Sequence, residues 1–283
     1  MNSAIDKQLI YTTTKLINKT INGEEKHSTG FIYNFKTSNN HIVRAIITCK
    51  HCIENYATIE ANFCLDNGNG APIDNIPYKF HFSSDNSICI VKHPKDNVDL
   101  VAMIFSIDDK LFLKGTKQPF FLSLYKEVLP SGERIEKFSY IEDIIMIGYP
   151  QGIWDRYNNK PIVRKGITAT PIKYDFNNEP EFLVDVATFH GSSGSPVYLH
   201  VPSAHIEENS FVIGSEELYL IGVFKGGWEE VTGETTTNKI VIDKKTIEAK
   251  VLLPINLGFV IKSSTIEEMN ELIENRIKEL EYN

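Results

Sequence analysis

Short apolar segments, broken at close intervals by Asn, Gly, Pro and Asp, constrain this chain more than any other feature. Residues 9–20, 26–35, 42–48, 58–65, 78–82, 88–92 and 100–105 in the first half read as strands, as do 144–147, 166–168, 182–186, 196–199 and 218–224 in the second. They are rich in β-branched and aromatic residues, and their regular spacing predicts a closed or sandwiched antiparallel architecture. Residues 125–141, polar and carrying Pro130, Ser131 and Gly132, read as the connection between two halves. Helical spacing stands out near the end. There Ser264, Thr265, Ile266 and Glu267 form a capping box, and Ile266, Met269, Ile273, Ile277 and Leu280 fall on one face. A terminal amphipathic helix packed on the second half is expected. An excursion over 228–249, rich in Thr, Glu and Lys, reads as a surface hairpin.

The chain has 283 residues, 42% hydrophobic and 23% charged, enough for one large domain or two small ones. Its net charge of −8 argues against a nucleic-acid-binding face of any size. Residues 1–10 lack a basic stretch leading into an apolar one, and no apolar run reaches membrane-spanning length. A cytoplasmic protein with no membrane partner is therefore expected. Cys49, Cys52, Cys64 and Cys89 are too few for a disulfide scaffold. Cys49 and Cys52 make a Cys-x-x-Cys pair, with Cys64 and Cys89 as further candidate ligands. A structural zinc site usually shows a second close pair, which is missing, so neither metal nor other cofactor is expected.

The heptad Gly191, Ser192, Ser193, Gly194, Ser195, Pro196, Val197 sets serine hydroxyls among glycines just ahead of an apolar strand. A serine hydroxyl attacks only with a base beside it, and the resulting oxyanion needs N–H donors close by. Lacking a Cβ, Gly191 and Gly194 can turn consecutive amides toward one point. A flexible Gly/Ser loop would have the same composition, so the partners decide. His51, at the end of Ile46, Ile47, Thr48, Cys49, Lys50, has a side chain that titrates near neutrality and can act as a base. Asp99 opens the apolar run Leu100, Val101, Ala102, which would anchor its carboxylate ahead of a buried strand. For that reason it is preferred to Asp96.

Taken in the order His51, Asp99, Ser193, these segments resemble the trypsin-like (chymotrypsin-fold) serine peptidases. The heptad is similar to their Gly-X-Ser-Gly-X-Pro motif, which makes Ser193 the nucleophile. Residues 46–52 resemble Thr-Ala-Ala-His-Cys, with His51 as general base, and Asp99 to Ala102 resembles Asp-Leu-Ala-Leu, with Asp99 as the carboxylate. Thr29, Gly30 and Phe31 resemble the segment that opens the catalytic barrel, and Gly148, Tyr149 and Pro150 are similar to an element of bacterial members. The resemblance implies an all-β fold of two six-stranded antiparallel β-barrels with a C-terminal α-helix. Residues 1–124 would form the barrel carrying His51 and Asp99, 125–141 the connection, and 142–283 the barrel carrying Ser193 and the helix. It further implies an oxyanion hole made by the amides of Gly191 and Ser193. The activity implied is that of a serine endopeptidase acting on protein or peptide substrates through an acyl-enzyme.

Several positions depart from the family pattern. Secreted members bridge the cysteine after the histidine to one on the preceding strand, yet only Cys52 is present and 30–44 holds no cysteine. Ser192 stands where digestive members carry the aspartate that pairs with a newly cut N-terminus. Control would then come from loop ordering or a regulatory partner protein. Among the implied substrate-binding residues, Ala187 replaces the aspartate of trypsins. Thr188 is similar to glutamyl endopeptidases, and Phe224 replaces their histidine. Lys225 or His190, with Gly226 in the adjoining wall, would suit an acidic side chain, whereas Ala187 and Phe224 suit a small or apolar one. A binding or scaffold protein that keeps the triad without a working hole is a second reading. An α/β-hydrolase esterase is a third, but it would need glycine in place of Ser195 and a different triad order.

Overall fold

The computed structural model describes residues 3–84, 89–105, 117–207, 210–213, 216–228, 237–242, 245–250 and 255–281. The chain is predominantly β. Eight strands, β1 (Thr13–Thr20), β2 (Glu25–Lys36), β3 (Ile42–Thr48), β4 (Tyr56–Asp66), β5 (Pro72–Ser83), β6 (Ile90–Lys92), β7 (Val101–Ile104) and β8 (Pro119–Phe120), form one sheet. Their order is β5-β4-β1-β2-β3-β7-β6, with β8 beside β4. Ten more follow: β9 (Asp143–Gly148), β10 (Ile162–Thr168), β11 (Glu181–Asp185), β12 (Pro196–Val201), β13 (Ala204–Glu207), β14 (Ser210–Ile213), β15 (Glu217–Gly227), β16 (Thr237–Ile242), β17 (Lys245–Lys250) and β18 (Leu257–Lys262). Six of these close an antiparallel barrel in the order β10-β11-β18-β15-β12-β9.

Two closed barrels were expected, and the first half departs from that. Among the described residues β5 and β6 are not hydrogen-bonded to each other, so the first sheet is open. Composition agrees with a free border. β5 carries Pro72 and Pro77, which cannot donate to a neighbour, and exposes Asn75, Lys79 and His81. β6, at three residues, offers few groups for pairing.

Three local expectations also change. Residues 9–12, expected to open the first strand, instead end a helix, Ser3–Thr12. Ala4, Lys7, Gln8 and Leu9 favour a helix, and the β-branched run Thr12, Thr13, Thr14 stops it, with the Thr12 hydroxyl donating back to the Leu9 carbonyl at 2.8 Å. Between the strands expected at 196–199 and 218–224, where no further strand was expected, lies the β13–β14 hairpin. The expected capping box does not form. Ser264 lies inside the short helix Ser264–Glu267, and Thr265 donates to the Lys262 carbonyl at 2.7 Å. The hairpin expected within 228–249 is present as β16 paired with β17.

The terminal helix, Asn270–Glu281, was expected on the second half. It packs instead on β2 and β6, with Ile273 and the preceding Ile266 and Met269 in the core cluster of Phe31, Ile46 and Met103. Its Glu274 accepts the Ser38 amide at 3.0 Å. The helix covers one face of the open sheet, whose apolar residues would otherwise face water. Among the described residues no helix is long and apolar enough to cross a membrane.

Two registers set up the site. β3 lies against β7 with Thr48 opposite Val101, so the turn Lys50–Ile53 that follows β3 and Asp99, two residues ahead of β7, meet at one sheet end. In the barrel, the segment between β11 and β12 emerges toward that end, because the Thr29 amide of β2 donates to the Ser193 carbonyl at 2.9 Å.

The two halves also meet at Lys15 of β1, which is 4% exposed. Its Nζ donates to the Gly152 carbonyl at 3.3 Å and lies 3.5 Å over the Trp154 ring. Burial lowers its pKa from 10.5 to about 8. Between those two values the unfolded chain holds a proton that the native chain has released. Stability from this residue therefore rises with pH through that window and is lost as pH falls through about 8. Urea unfolding of Lys15→Met should lack this component. Relative to wild type, the variant gains on the order of 2 kcal/mol in going from alkaline to neutral pH.

Candidate active site

Each of the three segments singled out in the sequence reaches one cleft of about 840 Å³, lined by Lys26, His27, His51, Asp99, Ser193 and Lys225 among others. His51 sits in the turn after β3, and Asp99 just ahead of β7. The Asp99 carboxylate takes two donors from the same residue, the His51 Nδ1–H at 2.5 Å and the His51 backbone amide at 3.1 Å. This double grip fixes the tautomer and leaves Nε2 as the ring's acceptor. Burial opposes a charged ring, but Cys52 and Asp99 outweigh it and raise the His51 pKa above 6.5. Asp96, the rejected alternative, makes no hydrogen bond with His51 among the described residues.

The structure separates the three serines of the heptad. Ser195 is fully buried, and its hydroxyl has no hydrogen-bond partner among the described residues. Ser192 is also buried, and its hydroxyl accepts from Arg164 Nη2 at 2.8 Å. Ser193 alone of the three lines the cleft. No hydrogen bond joins Ser193 Oγ to His51 among the described residues. The His51 Nε2 faces Cys52 Sγ at 3.7 Å.

The backbone of this loop is held residue by residue. Gly194 has φ +85° and donates its amide to the Phe224 carbonyl at 2.8 Å, while Ser195 donates to Ser192 at 3.0 Å and Ser192 to Phe189 at 3.1 Å. The amides of Gly191 and Ser193 donate to no protein acceptor among the described residues. Both residues line the cleft. Unengaged donors two residues apart, on a backbone fixed at both sides, are what a site for a small negative charge requires. Gly191, φ +86°, sits so close to the Tyr149 carbonyl that a Cβ would lie 2.7 Å from it.

Thr29 fastens this loop to the first sheet. Its hydroxyl donates to the Gly191 carbonyl at 2.9 Å and accepts the Tyr149 amide at 3.0 Å, while its carbonyl accepts the Thr48 hydroxyl at 2.7 Å. The sequence reading noted Thr29 only within a motif. A buried threonine between strands carries no local mark of such a role. Arg164 of β10 was missed altogether. Its guanidinium bonds Ser192 and the Ala187 carbonyl, and burial lowers its pKa to about 10. Nothing in the alternation of β10 distinguishes it from Lys165.

The expected substrate-binding residues divide. His190, Lys225 and Gly226 line the cleft. Ala187 and Thr188 are not among its lining residues, and Thr188 is buried beside Gly258. Phe224 is fully buried with its ring against Gly258, so it contributes backbone to the loop and no side chain to the cleft. β15 is a barrel strand, and its alternation turns that ring inward. Lys225 is already paired, at 2.8 Å, with the buried Glu181.

No protein-family model matches the chain, and no curated protein is detectably similar to it.

Two measurements probe this geometry. Asp99→Asn removes the charge beside the ring, so NMR titration should find the His51 pKa lowered by about one unit or more. A Cβ at position 194 would meet the Thr29 carbonyl and the Thr48 hydroxyl in a left-handed backbone. Gly194→Ala should cost at least about 2 kcal/mol in chemical denaturation.

Proposed function

We propose that this chain is a serine endopeptidase of the chymotrypsin type, with Ser193 as nucleophile, His51 as general base and Asp99 as its orienting carboxylate. The observation that carries the reading is a single cleft holding Ser193, a carboxylate-bound His51, and the unengaged amides of Gly191 and Ser193. A six-stranded closed barrel bearing the serine is compatible with that family. The open sheet bearing His51 and Asp99 takes the place of the other barrel.

In the reaction, Ser193 Oγ attacks the scissile carbonyl as His51 Nε2 takes its proton. The carbonyl oxygen, now negative, accepts from the Gly191 and Ser193 amides. His51 then gives the proton to the leaving amine, and water, activated by the same nitrogen, releases the acyl group. The raised His51 pKa favours the imidazolium that forms on attack, and it moves the onset of activity to higher pH. For specificity, the Lys225–Glu181 pair leaves less charge to attract an acidic side chain than the sequence suggests, which favours a small or apolar one.

One observation favours a latent enzyme or a scaffold as the second reading. Ser193 Oγ and His51 Nε2 are not hydrogen-bonded, so proton transfer requires the ring or the serine to turn first. Catalytic hydrogen bonds often tighten only with substrate present. A fluorophosphonate probe separates the readings. Wild type and Ser195→Ala should be labelled and Ser193→Ala should not. Absence of label in the wild type supports the latent or scaffold reading, and label that survives Ser193→Ala removes Ser193 as the nucleophile.

A further inference from the structure

Cys49, His51 and Cys52 bring two thiols and one imidazole nitrogen together, with all three ligand atoms within 4.8 Å of one another. Cys52 Sγ lies 3.7 Å from His51 Nε2. A tetrahedral zinc ion with bonds of about 2.3 Å to sulfur and about 2.0 Å to nitrogen needs its donors roughly 3.5–3.8 Å apart. The cluster is therefore within roughly 1 Å of that geometry before any metal draws it in. We propose that these three side chains form a binding site for a soft divalent cation such as zinc, and that its occupancy silences the cleft by taking the nitrogen that Ser193 would need.

Three features favour a metal over a chance grouping. The His51 ring already donates its Nδ1–H to Asp99 at 2.5 Å, the carboxylate–histidine arrangement that orients an imidazole for a metal through its other nitrogen. Two thiols with one imidazole suit zinc and similar soft ions, not calcium or magnesium. The site also has an open side. Cys49 is wholly buried beneath it, whereas the His51 side chain is 43% exposed and Cys52 borders the cleft, leaving a fourth position for water or a substrate group. The sequence reading sought a second cysteine pair, and Cys64 and Cys89 do not join the cluster. The third ligand is the histidine between the first two. On binding, the Cys49 thiol and the Cys52–His51 pair each release one proton to solvent while the Nδ1 proton stays with the ring.

The inhibitory consequence rests on the peptidase reading, but the metal site does not. The Ser193→Ala chain, reduced and metal-free, is titrated with Co²⁺ and then Zn²⁺. The expected result is one equivalent of cobalt with thiolate charge-transfer absorption, displaced by zinc. Affinity should fall about 100-fold or more in Cys49→Ala/Cys52→Ala and about 10-fold or more in Asp99→Asn. Absent thiolate absorption, or cobalt affinity unchanged in the double variant, overturns the site. Should the double variant not fold, His51→Ala serves instead, since that ring is 43% exposed, and unchanged cobalt affinity there overturns the site equally. In the wild type, zinc should abolish fluorophosphonate labelling and a chelator should restore it. Labelling that zinc leaves intact overturns the inhibitory role. A chain that binds cobalt but never takes the probe sinks the peptidase reading and upholds the metal site.

Discussion

Everything in the cleft depends on how Thr29 joins two sheets that share no strand. Through its amide, carbonyl and hydroxyl it makes four hydrogen bonds, to Ser193, Thr48, Gly191 and Tyr149. Three of those partners belong to the second half of the chain and one to the first. Each bond is worth on the order of 1 kcal/mol, and their collective effect is positional. They set the loop that carries Ser193 at a fixed distance from the strand end that carries His51. Buried hydrogen bonds of this kind hold geometry tightly, because breaking one leaves an unpaired polar group in a dry site.

The chemistry of the cleft comes from competing demands on one ring. Asp99 holds His51 from below and stabilises its charge, while burial resists that charge. Cys52 stands nearest the free nitrogen and Ser193 lines the same cleft. This imidazole has a thiol 3.7 Å from its free nitrogen and shares its cleft with an alcohol. Under the proposed peptidase reading it serves the alcohol, and under the proposed metal site it joins the thiol as a ligand. Arg164 and Thr29, neither of which lines the cleft, restrict the loop side of that choice.

Much of the candidate site, as a set of residues that share one cleft, was legible because its residues sit in short contiguous motifs. Gly191 to Ser195 and Thr48 to Cys52 each carry their own pattern, and Asp99 was separable from Asp96 by its place ahead of an apolar strand. The supports were not legible. Arg164 looks like any charged residue of an alternating strand, and Phe224 gives no sign in the sequence that its ring turns inward. The fold was read correctly at the level of short antiparallel strands and one closed barrel. The open first sheet escaped notice because closure depends on pairing between the distant segments β5 and β6, which strand periodicity does not encode. The terminal helix was recognised from its periodicity yet assigned to the other half, since an apolar stripe specifies burial and not the surface that provides it.

The register of β15 and β18 carries one more consequence. Gly227, the last residue of β15, lies directly opposite Gly258 near the start of β18, so the chain leaves the barrel and re-enters it at the same rung. The β16–β17 ribbon lies between these two residues in the chain and contributes no strand to the closed barrel. Such a segment can drift in length and sequence over evolutionary time without disturbing the enclosure behind it. It is the natural place for this chain to acquire new attachments while its interior stays as it is.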